Sequence, residues 1–428
     1  MNLKSVLLQV QHKPRLHAAV WTKEYFYSQL IPYIGNKRKL LPLIARGIHQ
    51  TGCQGGTFVD IFTGSTVVAR LAKVLGMRVI VNDWEPFSYE IGRGTVALNT
   101  IPDFRALGGV EQVFEHLNAL PPFYGYIAHH LCPLNDEQPD PKRERMFFTR
   151  ENGERIDTIR EEIESWEREG KLSEDERAFL LSSLLYAVSY ASNTSGVFKG
   201  FHNGWGGKTG TALYRIRGHL RVNPPVLFDN NQSNLALNQD AHSLAKNLPR
   251  IIGKRPDIVY IDPPYNQHPY GSNYHVLNTV ALWDKPPLNP SILVNGKTHD
   301  KSAIRKDWRT TRRSPYNSQK EALPAFRKLV GDLDARWLLV SYSTDGTMPL
   351  DGLLTALAER GRLQVFVQKY KRYRVSTPRM SPKPYNAEFL AVLDTESKPS
   401  TTIVEQLTRQ ILQEEAGGKA TGILLLST

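Results

Sequence analysis

Thr57-Phe-Val-Asp-Ile-Phe-Thr-Gly-Ser-Thr-Val-Val-Ala-Arg-Leu-Ala-Lys-Val-Leu-Gly76 changes its hydrophobic period halfway along. Residues 57–62 form a short apolar, β-branched run without clean alternation, the signature of a strand buried on both faces. Val67, Val68, Leu71, Ala72 and Leu75 then recur at helical spacing and stop at Gly76. A second strand-like run follows at once, at 78–81. Strand, helix and strand in this order predict a parallel pair joined by a helical crossover. Further short apolar runs at 234–237, 257–261, 337–342, 363–367 and 388–393 extend the sheet. Leu40, Leu41, Ile44 and Ile48 mark another amphipathic helix. The fold class expected is α/β, with a mostly parallel sheet covered on both faces.

The alternation breaks off after Asn99 for more than a hundred residues. Ile156, Ile159, Ile163 and Trp166 line one helix, and Ser173-Glu174-Asp175-Glu176 opens the next with capping-box spacing, running on through Phe179, Leu180, Leu184 and Val188. A Gly/Asn-rich stretch, 192–208, then interleaves aromatics with Lys199 and Lys208, and a basic run, 214–221, follows it. Aromatic, Lys, Asn and Gly residues in such a loop suit close approach to a phosphate backbone or to bases. The organisation expected is a core of 25–100 and 230–395, a mainly helical insertion over 101–229, and a C-terminal tail over 396–428.

The 428 residues are 40% hydrophobic and 22% charged, which excludes wholesale disorder. The opening apolar segment is too short and interrupted for a signal peptide, and no run approaches the length of a membrane span, so a cytoplasmic protein is expected. Cys53 and Cys132 are the only cysteines, too few for a disulfide scaffold or a four-cysteine zinc site. Lys and Arg exceed Asp and Glu by 54 − 42 = 12. An excess of that size points toward a polyanionic partner.

Three segments could carry chemistry. Asp262-Pro263-Pro264-Tyr265 directly follows the run 257–261, where an open α/β sheet binds ligands. The two prolines stiffen the turn, so a carboxylate and a proline carbonyl could both accept from an exocyclic NH2 while the tyrosine stacks on the attached base. Phe62 and Gly64 lie in the turn after the first strand, where a glycine lets the backbone approach a ligand. Asp83 ends the second strand, suited to a pair of ribose hydroxyls or to capping a helix. Tyr33-Ile-Gly-Asn-Lys37 precedes a helix start rich in lysine, which opposes the helix dipole and would be eased by an anionic ligand group.

In this order these motifs resemble the Dam-like, alpha-group N6-adenine-specific DNA methyltransferases of restriction-modification systems and phages. Tyr270, Asn273-Tyr274-His275, Leu277 and Ser341-Tyr-Ser-Thr-Asp-Gly346 extend the similarity toward type II modification enzymes with long recognition regions. The resemblance implies a Rossmann-like S-adenosylmethionine-dependent sheet whose insertion recognises the target. It implies cofactor contacts from Tyr33, Gly35, Lys37, Phe62, Gly64, Asp83, Asp240 and Asp262, with Lys37 at the cofactor carboxylate and Asp240 near its adenine. Asp262, Pro263, Pro264 and Tyr265 would hold a target base flipped out of duplex DNA. One departure stands out: the family turn often reads Phe-x-Gly-x-Gly, whereas Ser65 and Thr66 follow Gly64 here.

Methylation of cytosine N4 or of RNA, and a non-catalytic DNA-binding protein of the same fold, are the rival readings. Two basic tracts, 297–313 and 365–383, are expected to touch the DNA backbone. Their contacts would come from Arg305, Arg309, Arg312, Arg313, Lys371, Arg372 and Arg374, beside Lys199 and Lys208 of the insertion. No metal is expected, with His268 and His275 structural or DNA-facing. A monomer is expected, with a restriction endonuclease as its functional companion.

Overall fold

The computed structural model describes residues 24–267, 269–289, 292–371, 385–417 and 422–426. Its centre is an eight-stranded sheet. The strands are β1 (Thr57–Asp60), β2 (Arg78–Asn82), β3 (Leu235–Leu237), β4 (Ile258–Ile261), β5 (Trp337–Ser343), β6 (Arg362–Lys371), β7 (Tyr385–Asp394) and β8 (Leu424–Leu426). They lie in the order β8-β6-β7-β5-β4-β1-β2-β3. The five strands from β3 to β5 in this order pair in parallel, and β6, β7 and β8 add an antiparallel flank.

Both faces are buried, which is why the strands read as continuous apolar runs. Successive residues point to opposite sides. Phe58, Val79, Tyr260 and Leu339 pack with α1 (Leu41–Gln50) and α2 (Val67–Val74). Val59, Ile80, Val259 and Leu338 pack with α7 (Ala322–Asp332), α8 (Leu350–Ala358) and α9 (Val404–Ala416). The described residues of 396–428, a segment expected as a tail, therefore pack into the sheet domain: Leu407 and Ile411 of α9 are buried, and β8 pairs with β6.

Residues 101–229 carry α4 (Arg150–Arg168) and α5 (Glu174–Ala191), and Ser173 and Glu176 make the reciprocal capping box. This region is not a separate globule. Its apolar core is continuous with Phe87 and Ile91 of α3 (Pro86–Gly92) and with Val276, Leu277 and Val280 of α6 (His275–Leu282). The 192–208 loop is welded to the same wall, since the Phe198 amide donates to the Asn273 carbonyl at 2.7 Å and His275 Nε2 meets the Phe198 carbonyl at 2.8 Å. Burial pushes the His275 imidazole down to about 4, so it stays neutral and donates from Nε2.

The chain moves outward from β1 through β2 to β3, then returns to β4 on the other side of β1. That reversal leaves a crevice beyond the carboxyl ends of β1 and β4, the place where doubly wound sheets bind ligands.

Candidate active site

A cleft of about 1050 Å³, including its solvent-open mouth, occupies that crevice. It is lined by Tyr33, Gly35, Lys37, Phe62, Gly64, Asp83, Asp240, Asp262, Pro263, Pro264 and Tyr265. Residues 33–37, 62–64, 83, 240 and 262–265 are distant in sequence, yet the sheet brings every one of them to a single rim.

The turn after β1 is stitched to the end of β2. Thr63 N donates to the Asn82 carbonyl at 3.0 Å, and Gly64 N donates to Asp83 Oδ2 at 2.7 Å. Asp83 Oδ1 accepts from Glu85 N at 2.9 Å. Burial raises the Asp83 carboxyl, and those two amides oppose the shift. Gly64 has φ +53°, and a Cβ there would lie 2.7 Å from the Tyr33 ring. Thr66, where the family pattern places its second glycine, holds φ +70° while fully buried. A β-branched residue there is strained, so the departure seen in the sequence is a real local cost.

The turn after β4 is held differently. Its prolines donate no N–H, and the Asp262 carboxylate is anchored by Lys37 Nζ at 2.9 Å. Burial works most strongly against the Lys37 charge, but Asp262, Tyr260 and Glu388 together outweigh it and hold the ammonium above its ordinary range. Lys37 also donates to the Gly35 carbonyl at 3.1 Å and lies 5.0 Å from the Tyr265 ring centroid. Gly35, at φ +77°, is required here because a Cβ would lie 2.6 Å from the Tyr265 hydroxyl.

Opposite stands an aromatic wall. Tyr33 stacks on Tyr274 with centroids 5.0 Å apart, and Tyr270 closes the cluster at 5.3 Å. Tyr270 donates to the Ile34 carbonyl and Tyr274 accepts from Ile34 N, pinning the 33–37 segment to the segment that follows β4. Asp240 reaches the cleft but also caps a helix, accepting from Ser243 N at 3.0 Å.

Several cleft or near-cleft groups were not singled out from the sequence. Asp60, at the end of β1, is buried, its carboxyl held well above the usual range by burial and then by Asp262 and Asp83. Trp84, Glu85 and Tyr316 line the mouth. Glu388 of β7 is buried behind Lys37 and Asp262, and burial pushes its carboxyl up to about 7. An acid inside an apolar strand run was the available signal for Asp60 and Glu388.

The basic side chains are placed less uniformly. Arg305 is buried, ion-paired to Asp284 at 2.6 Å and Asp307 at 2.7 Å, and stacked on Trp308 at 4.3 Å. Arg312 also stacks on Trp308, at 4.1 Å, and donates to the Trp84 carbonyl. Arg313 pairs with Glu321. Of the three, Arg312 lines the cleft, whereas Arg305 is held in its carboxylate pairs, which corrects the expectation that it would be free for a phosphate. Arg309 lies in the short helix Trp308–Thr311, Lys199 is half-buried on the 192–208 loop and Lys208 is exposed. Lys371 ends β6, whereas Arg372, Arg374 and His268 lie outside the described residues. Among the described residues no group of three or more His, Cys, Asp or Glu is placed to hold a metal ion, and no helix is long and apolar enough to cross a membrane.

Such a rim, with hydrogen-bond acceptors on a rigid turn beside aromatic faces, can orient a planar amino-bearing ring against a bound second ligand. Comparison with known proteins points the same way. A family model described as D12 class N6 adenine-specific DNA methyltransferase matches residues 33–305. The type II methyltransferase M.NlaIII of Neisseria lactamica is 30% identical over 345 residues, covering 80% of this chain and 92% of its own length. M.FokI of Planomicrobium okeanokoites is 32% identical over 346 residues, with 80% of this chain aligned to 49% of its length. M.CviAII of Paramecium bursaria Chlorella virus 1 is 29% identical and covered over 93%.

Proposed function

The chain belongs to the D12 class of N6 adenine-specific DNA methyltransferases, and from that premise we propose its specific reaction. It moves a methyl group from S-adenosylmethionine to N6 of adenine within a defined sequence of double-stranded DNA, as the modification partner of a restriction endonuclease. The observation that carries this reading is the Asp262 to Tyr265 turn, whose acceptors face the cleft on a proline-stiffened backbone.

The cleft suits the cofactor by its chemistry. It offers carboxylates to a cationic sulfonium, and a buried Asp60 oxygen has no hydrogen-bond partner within the chain. Tyr33, Gly35, Phe62, Gly64, Asp83 and Asp240 would hold S-adenosylmethionine, which when bound supplies a methyl group already activated by its sulfonium. Lys37 has three donors, of which two meet Asp262 and the Gly35 carbonyl, leaving one for a ligand carboxylate.

Asp262 then does the orienting. Burial raises its carboxyl and Lys37 opposes that shift, and as the partner of the Lys37 ammonium it accepts an N–H of the exocyclic amine and favours the pyramidal nitrogen that attacks. Tyr265 supplies a ring face for the base, worth roughly 1–3 kcal/mol against the few kcal/mol of unstacking. Alignment of nitrogen with methyl group matters more than acid or base strength in such a transfer, and positioning of this kind contributes up to about 7–11 kcal/mol.

Modification-sensitive sequencing of DNA from cells expressing the wild type and Asp262→Ala tests the reading. N6-methyladenine in one sequence context, present only with the wild type, is expected. N4-methylcytosine, or no modification, would overturn it.

A further inference from the structure

Tyr214 is the most exposed large apolar or aromatic side chain among the described residues, at 77%. It is presented by a tight turn, with Ala212 at φ +64°, and anchored by buried Ile216 two residues on. Its hydroxyl meets that of Tyr190, itself exposed at the end of α5. Tyr190 stacks on Tyr186 with ring centroids 5.7 Å apart. Arg215 lies over the Tyr190 ring at 5.6 Å and donates to the Tyr190 carbonyl, which holds its guanidinium in place.

The strip is coupled electrostatically to the segment that enters the cleft. The charged groups acting on Tyr186 are Arg215 and Arg38, and Arg38 directly follows the cleft residue Lys37. Arg38 is exposed and packs over the Tyr27 ring at 4.9 Å. Tyr186, Tyr190 and Tyr214 are thus joined on the insertion and held by Arg215, with the Arg38 charge acting on Tyr186 from the segment that carries Lys37. A surface gains nothing by holding an aromatic ring in water, whereas a tyrosine beside fixed cations suits the sugars and phosphates of a nucleic-acid backbone. In the 305–313 stretch, by contrast, Arg305 and Arg313 are already paired with carboxylates.

We propose that duplex DNA lies along the strip formed by Arg38, Tyr186, Tyr190, Tyr214 and Arg215, with Tyr214 packing against a sugar of the duplex backbone and the two arginines meeting backbone phosphates. The inference rests on the reading of this protein as a DNA methyltransferase and adds where the duplex is gripped outside the cleft.

Steady-state kinetics on a duplex carrying the modified sequence separates the two. A wild-type protein that transfers no methyl group to any duplex would sink the functional reading itself. With an active wild type, Tyr214→Ala should raise KM for the duplex about tenfold, the scale of losing one aromatic anchor from an interface. KM for S-adenosylmethionine should stay unchanged and Tyr214→Trp should restore the duplex KM. Arg38→Gln should raise the same constant and flatten its salt dependence. Phe123→Ala, at an exposed aromatic away from the strip, should match the wild type. Wild-type duplex KM in both Tyr214→Ala and Arg38→Gln would overturn the proposal, as would an equal rise in Phe123→Ala.

Discussion

The turns after β1 and β4 stand side by side on one sheet rim and are held by opposite means. The first is sewn down by hydrogen bonds: Thr63 to Asn82, Gly64 to Asp83, Ser88 to the Gly64 carbonyl. The second relies on two proline rings and one ion pair, Lys37 to Asp262. Consequently the first has its polar groups largely committed inward, and the second keeps acceptors facing the cleft. Where a rigid turn leaves hydrogen-bonding capacity over, the substrate is expected; where the capacity is used up, the turn is a shelf for a bound molecule.

The sharpest way to break this comparison is Asp262→Ala. On the proposed reaction kcat should fall by at least about a hundredfold, the scale of losing one aimed hydrogen-bonding partner in a transition state. Calorimetric S-adenosylmethionine affinity should change little, because the shelf is the other turn. Near-normal turnover would remove Asp262 from the chemistry, and loss of cofactor binding alone would reassign it to the shelf.

Glu388 tests the ground behind the acceptor turn. Burial raises its carboxyl from about 4.5 to about 7, with Lys37 opposing and Asp262 adding to the shift. Since the folded value lies above the unfolded one, its stabilising share is complete below about pH 4.5 and is lost as pH rises through about 7. Chemical denaturation should show the wild type losing on the order of 2 kcal/mol between those limits through this group. Glu388→Gln should flatten that slope. An unchanged slope would mean that Glu388 is ionised throughout.

Asp83→Asn probes the shelf. The amide keeps one acceptor for two backbone N–H groups, so either Gly64 N or Glu85 N loses its partner, at about 1–2 kcal/mol of stability. Cofactor affinity should weaken about tenfold with kcat at saturation preserved. A fall in kcat without a change in affinity would show that the two turns are not independent.

Much of this arrangement was legible in the sequence, and the misses share a cause. Strand runs, the helix faces of α1 and α2 and the Ser173 capping box depend on neighbours within a few residues, so periodicity found them. The cleft residues were legible because strand ends gather at a switch point. Partners distant in the chain were not. Arg305 read as a free cation because nothing local announces Asp284, which with nearby Asp307 neutralises it, and β8 was missed because Leu424 to Leu426 form a strand only against β6. Glu388 opened a run correctly read as a strand, but its neighbour Lys37 lies 351 positions away, as 388 − 37 gives.

Thr66 carries the smallest effect and the finest test of the sewn turn. A left-handed conformation costs a residue with a Cβ roughly 1–2 kcal/mol, and Thr66 holds φ +70°. Its hydroxyl accepts from Arg70 Nε at 3.0 Å, so a direct swap to glycine mixes relief of strain with loss of that bond. Comparing Thr66→Gly with Thr66→Ala removes the mixture, since both lack the hydroxyl. In ordinary backbone alanine is the more stable of the two, because glycine frees the unfolded chain. Here the order should invert, with glycine ahead by about 1 kcal/mol in denaturant midpoints. Alanine ahead would show that the turn relaxes out of the left-handed region, and that its hydrogen bonds with Asn82, Asp83 and Ser88 do not hold it there.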